Sequence, residues 1–127
     1  MKLYLIVALG SGIGGMLRYY ISDIVQKNSA SLFPFGTLTV NIIGSFIIGL
    51  VIFYLDSLKI ISSEMRLFLT IGLCGGLTTF STFSYETVKL FQDSEFLLAG
   101  ANILLNVILT IIAVYLAYIL SKLIIGG

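Results

Sequence analysis

The sequence predicts an all-α integral membrane protein: four transmembrane helices per chain, the third of them broken. Three observations carry this. The chain is 58% hydrophobic and 10% charged, with a mean hydropathy of +1.11, whereas a soluble domain carries about 25% charged residues. Its apolar residues fall into four segments, each near the ~20 residues that cross a bilayer as a helix. And the third segment contains a stretch, Gly72 to Glu86, with three glycines, five Ser/Thr hydroxyls and a carboxylate. Irregular backbone at membrane depth is tolerated only where protein buries it or a watery cavity meets it.

The first apolar segment runs about Leu3 to Val25. No clear small-residue cleavage site follows it, so it reads as a retained helix and not a removed signal peptide. The second runs about Phe35 to Leu55 and is entered through Phe33-Pro34, where proline suits a helix start. The third covers about Leu67 to Phe91 and the fourth about Phe96 to Ile125, with short polar links at Gln26 to Leu32, Asp56 to Glu64 and Gln92 to Glu95. The chain therefore reads as one four-helix domain over 1–127, with both termini on one side of the membrane. That side carries Lys2, Lys59, Arg66 and Lys122, against Lys27 and Lys89 opposite. Positive charge in short loops faces the cytoplasm; four against two is a weak bias, and charge alone favours a single orientation. Four helices scarcely enclose a pathway, so a homo-oligomer is expected. An antiparallel dimer would supply between chains the inverted symmetry that larger transporters encode in one.

Polar and small residues form stripes. Thr37, Asn41, Ser45 and Gly49 recur every fourth residue on the second helix, as do Asn102, Asn106 and Thr110 on the fourth. That spacing shares a face. For Ser45 and Gly49 helix packing is the better reading. The three amides exceed what packing requires, since a buried amide is costly without a partner, and lining a polar pathway is as good a reading for them. Gly10, Gly14 and Gly15, with Gly72 and Gly76, read as close-packing faces. Arg18 lies well inside the first span, where a charge marks a functional site by default. The competing reading is snorkelling, with Asp23 as its partner. Glu86 is either a solvated helix end or a gate at a pathway entry.

Several function classes are excluded. A net charge of +1 leaves no nucleic-acid footprint. The absence of His and a lone Cys74 leave no metal cluster, disulfide or plausible catalytic base. Within the third segment, Gly75-Gly76 followed by Thr78-Thr79 favours a helix break. A break frees carbonyls, which suit a small hard cation such as sodium. Hydroxyls and amides can donate to an anion. Phe80 and Phe83 share a face; two such rings usually pack, yet their edges carry partial positive charge and would solvate an anion weakly in a pore.

The chain resembles the Fluc fluoride channels, also called the CrcB family. The resemblance covers nearly the whole chain. It rests on Gly12-Ile13-Gly14-Gly15-Met16-Leu17-Arg18-Tyr19, on Gly36-Thr37-Leu38-Thr39-Val40-Asn41 with Gly44-Ser45-Phe46, and on Gly75 through Ser84 with Glu86. It implies a passive fluoride exporter in the bacterial inner membrane, built as a dual-topology antiparallel homodimer with two pores. By the same resemblance Phe80 and Phe83 face the anion pathways, Asn41 donates to the anion in the vestibule, and carbonyls of Gly75 and Thr78 from both chains hold a central structural sodium ion. Arg18 and Glu86 match the family's first-helix arginine and its acidic residue after the phenylalanines. Ser81, Thr82 and Ser84 complete the hydroxyl-rich track. Asn102, Asn106 and Thr110 stand where the family commonly carries Tyr and Ser.

The main rival is a small dual-topology multidrug or cation transporter. Such proteins carry a carboxylate midway along the first helix, where this chain has Arg18. A structural subunit would explain the glycine faces but not the Asn stripes. An intramembrane enzyme is the weakest reading.

Overall fold

The computed structural model describes residues 1–126. Among them are four helical spans long and apolar enough to cross a membrane: Lys2–Ser29, Phe35–Asp56, Ser63–Gln92 and Phe96–Ile125. Helix α1 (Lys2–Ser29) fills the first span. Helix α2 (Phe35–Leu50) continues into a π-helical segment, Val51–Asp56. The third span is assembled from α3 (Ser63–Leu67), a π-helical segment Phe68–Cys74, α4 (Gly75–Leu77) and α5 (Phe80–Gln92). Helix α6 (Phe96–Ile125) is the fourth.

The helices of the first three spans run over bounds different from those of the apolar segments. The first helix runs on past Val25 to Ser29, because Asn28 and Ser29 bond back to the carbonyls of Ile24 and Gln26. It stops at Ala30, which adopts a left-handed conformation (φ 49°). The third span begins four residues before Leu67, at Ser63, where the Ser62 hydroxyl accepts the Met65 amide (3.1 Å) as an N-cap. The start of α2 is tied down by Gln26: its Oε1 accepts the Gly36 amide (3.0 Å), and its Nε2 donates to the carbonyls of Ser31 and Phe33. One side chain thus meets an orphan donor of α2 and fixes the connecting loop.

Packing is inverted relative to a soluble protein. Large apolar side chains such as Met16, Leu97, Ile111 and Leu123 are exposed, while Asn102, Ala99, Ala117 and Ser121 are almost wholly buried. Between helices in lipid, association rests on close packing and interhelical hydrogen bonds. Helix α2 packs most extensively on α6, and α1 on the third span. At the second contact glycines meet backbone. A Cβ at Gly10 would lie 2.6 Å from Phe68 O and 2.9 Å from Gly72 Cα, and one at Gly76 3.0 Å from Gly15 N. Gly14 faces the Leu73 carbonyl in the same way. Gly15, expected on this face, does not use its missing side chain there: a Cβ built on it meets nothing. Gly49 packs on Ala117, where a Cβ would come within 2.6 Å.

Candidate functional site

The third span breaks at Thr78 and Thr79. Both are extended (φ −89°, ψ 160° and φ −152°, ψ 122°) between α4 and α5. The π-helical turn Phe68–Cys74 leads into the break; such turns are rare and cluster at functional sites. Thr79 caps α5, its hydroxyl accepting the Thr82 amide (3.1 Å) and donating to the Thr82 hydroxyl (3.0 Å).

In a continuous helix the Thr79 amide would close on Gly75 O and the Thr82 amide on Thr78 O. Here Thr79 N–H donates instead to Asn41 Oδ1 (2.8 Å), and Thr82 N–H to its capping hydroxyl. The carbonyls of Gly75 and Thr78 are thereby released from the ladder. The Thr78 hydroxyl turns away, donating to Cys74 O (2.9 Å). Gly44 makes the room, since a Cβ there would collide with the Thr78 methyl. Arg18 Nε–H donates to Gly76 O (2.9 Å) across the α1 contact. Asp23, the arginine's partner under the snorkelling reading, pairs with Lys27 instead (2.8 Å).

A cavity of about 570 Å³ opens beside the break. Asn41, Gly75, Thr78, Phe80, Phe83, Asn106 and Thr110 all line it, with Ser45 and Ile71 among their neighbours. Phe80 and Phe83 have ring centroids 5.4 Å apart, but they differ in setting: Phe83 is 8% exposed and Phe80 78%. The remaining singled-out residues lie off this cavity. Ser84 donates to Phe80 O and Ser81 reaches the Thr79 hydroxyl (3.4 Å). One carboxylate oxygen of Glu86 is buried with no hydrogen-bond partner.

The Asn stripes of α2 and α6 join in one buried relay. Asn41 Nδ2 donates to Asn106 Oδ1 (2.9 Å) and to Thr79 O (3.2 Å). Asn106 Nδ2 donates to the Oδ1 and main-chain oxygen of Asn102 (both 2.9 Å). Asn102 Nδ2 donates to the Thr87 hydroxyl (2.9 Å), which donates to Phe83 O (2.8 Å). The direction is set by main-chain groups at the ends: only Oδ1 of Asn41 can accept from Thr79 N–H. Both N–H groups of Asn41 and of Asn106 are engaged within the chain. A hydrogen bond from Asn41 to an anion therefore requires the release of Thr79 O or Asn106. Spacing revealed the stripes; Thr79 and Thr87, which close the relay, carry no comparable signal.

The donor set at the break is neutral oxygen. No group of three or more His, Cys, Asp or Glu side chains able to hold a metal occurs among the described residues. Two released carbonyls without a carboxylate suit a hard monovalent cation better than a divalent one, which takes six or more oxygens, usually with carboxylates among them.

Four apolar spans around a buried polar relay and a broken helix define a multi-pass membrane protein, and its similarity to known proteins gives the class as an ion channel, not an enzyme. Residues 5–118 match the family model described as CrcB-like protein, Camphor Resistance (CrcB). The chain is 44% identical over 126 residues to the fluoride-specific ion channel FluC of Paramagnetospirillum magneticum, covering 98% of each. It is 48% identical over 126 residues to FluC of Pyrococcus abyssi (96% of this chain, 98% of the relative) and 43% over 122 residues to FluC of Geotalea uraniireducens (96% and 98%). The chain belongs to the CrcB/FluC family.

Proposed function

We propose that this chain is a single four-helix domain over 1–127 that assembles as an antiparallel, dual-topology homodimer and conducts fluoride passively out of the cell through two pores. The observation that supports this most is the cavity beside the break. It brings two phenylalanine rings, amide and hydroxyl groups and two released carbonyls to one place, in a chain 44% identical to a FluC channel over 98% of its length. The exposure of Phe80 beside that cavity favours a second copy as the missing wall.

Fluoride is small and strongly hydrated, so its water must be replaced by donors that hold it weakly enough to let it leave. Ring edges of Phe80 and Phe83 would supply part of that field. Ser81, Thr82, Ser84 and Thr110 would supply hydroxyls along the track. Asn41, Asn102 and Asn106 would hold the track in shape and lend a donor when the relay opens. Arg18 would add a fixed positive charge at the break, and Glu86 would stand at the pathway entry. The carbonyls of Gly75 and Thr78 from both chains would hold a structural sodium ion; when bound, it would neutralise the carbonyl dipoles that face each other across the dimer axis. Hydrogen fluoride crosses bilayers neutral and ionises in the more alkaline cytoplasm. A negative-inside potential then drives the anion outward with about 2.3 kcal/mol per 100 mV, and export needs no coupled energy source.

The protein belongs in a cytoplasmic membrane. The family resemblance implies a bacterial inner membrane; relatives in bacteria and in an archaeon support the broader reading of a cytoplasmic membrane in either. Expression in a bacterium lacking fluoride export tests the reading. Restored growth on fluoride, with no change in tolerance to cationic drugs, is the expected outcome. Drug tolerance without fluoride tolerance would favour the multidrug transporter.

A further inference from the structure

We infer that Arg18 is the positioning residue of the break: it holds the Gly76 carbonyl out of the helix and so decides which carbonyls remain for a cation. This rests on the cation reading proposed above. In an unbroken helix Gly76 O would accept the Phe80 amide, four residues on. Arg18 Nε–H takes that acceptor from the α1 side (2.9 Å). Asn41 takes the Thr79 amide and Thr79 carbonyl from the α2 side. With Gly76 O claimed, the carbonyls that the break leaves outside the ladder are those of Gly75, Leu77 and Thr78, and of these residues Gly75 and Thr78 line the cavity.

The contact is built. Glycines 14 and 76 let α1 and the third span meet backbone to backbone, close enough for a side chain from one to reach a carbonyl of the other. The arginine has no competing carboxylate: Asp23 is occupied by Lys27, and no ion pair to Arg18 occurs among the described residues. A charged group within a span is held by a specific partner or a functional need, and here the partner is a single carbonyl at the break. Snorkelling toward an interface would leave Nε free; it is bonded inward.

The purified full-length chain in detergent, melted across a sodium series with choline replacing sodium, gives the sodium concentration for half-maximal stabilisation. Hydrogen–deuterium exchange over residues 78–82 in sodium-free buffer reports the break itself. Arg18→Met removes the donor at nearly constant length. It is expected to raise the sodium midpoint at least tenfold and to speed exchange over the break, with Arg18→Lys lying between it and the native protein. Unchanged exchange in folded Arg18→Met overturns the positioning role, and faster exchange with an unchanged midpoint overturns its link to the cation. If Arg18→Met does not fold, Arg18→Lys decides: a severalfold rise in midpoint supports the inference and no rise overturns it. A native protein indifferent to sodium would contradict the cation reading itself, and exchange would then decide the role of Arg18 alone.

Discussion

The phenylalanines show how two residues three apart in sequence acquire different surroundings. Phe83 is packed inside its own chain, whereas Phe80 stands off it. Under the proposed function both edges meet the anion, so Phe80→Ile and Phe83→Ile should each lower fluoride flux at least tenfold while leaving the dimer folded; equal flux in both variants would remove the ring-edge argument. The asparagines act differently. Asn106→Leu deletes three hydrogen bonds of the relay. Only the bond from Asn41 crosses between helices, worth about 0.6 kcal/mol in membranes; with the buried Asn41 donor left unpaired as well, at about 1–3 kcal/mol, a loss of about 1–3 kcal/mol in unfolding free energy is expected, measured by chemical unfolding in detergent. A value indistinguishable from the native protein would mean that the relay holds nothing. The four-residue spacing made these amides legible as a polar stripe. That both N–H groups of Asn41 and of Asn106 are engaged within the chain was not legible, because the groups that close the relay, Thr79 and Thr87, lie on the third span and meet the amides only in the fold.

At the scale of elements, the break was the most legible feature. Gly75-Gly76 lowers helix propensity, and Thr78-Thr79 supplies a residue that takes extended backbone and then caps the next helix. The sequence did not reveal what keeps the break from closing. Asn41 and Arg18 are 38 and 58 residues away from their partners. Nor did it separate Gly10 and Gly14, where the third span fills the place of a side chain, from Gly15, where that place is open. Gly10→Val places atoms against the Phe68 carbonyl and Gly72 Cα, both main chain and unable to rotate aside. A loss of about 1–3 kcal/mol, the usual cost of overpacking, is expected in the same unfolding measurement, whereas Gly12→Val, which meets open space, should be near neutral. Gly75 is a different case. A Cβ there touches only Thr70 O, at 3.8 Å, so Gly75→Leu should be tolerated by the monomer. Its bulk would project toward the proposed cation site and should abolish sodium-dependent stabilisation; normal sodium response in this variant would place the cation elsewhere.

For the whole molecule, the composition and four apolar segments announced a membrane protein, and the motif around Phe80 announced its family. The charge pattern said least: Lys and Arg number four on the side of the termini and two on the other, a weak bias under the positive-inside rule. So weak a bias does not forbid insertion both ways round, which the proposed antiparallel pair requires. The central claim is that this pair is a passive fluoride channel. The measurement that tests it most directly is ion efflux from liposomes holding the purified protein, read with a fluoride-selective electrode beside a chloride-selective one, with no proton gradient imposed. Rapid fluoride release with chloride retained is the predicted result; folded dimers that retain fluoride, or release both anions alike, would contradict it.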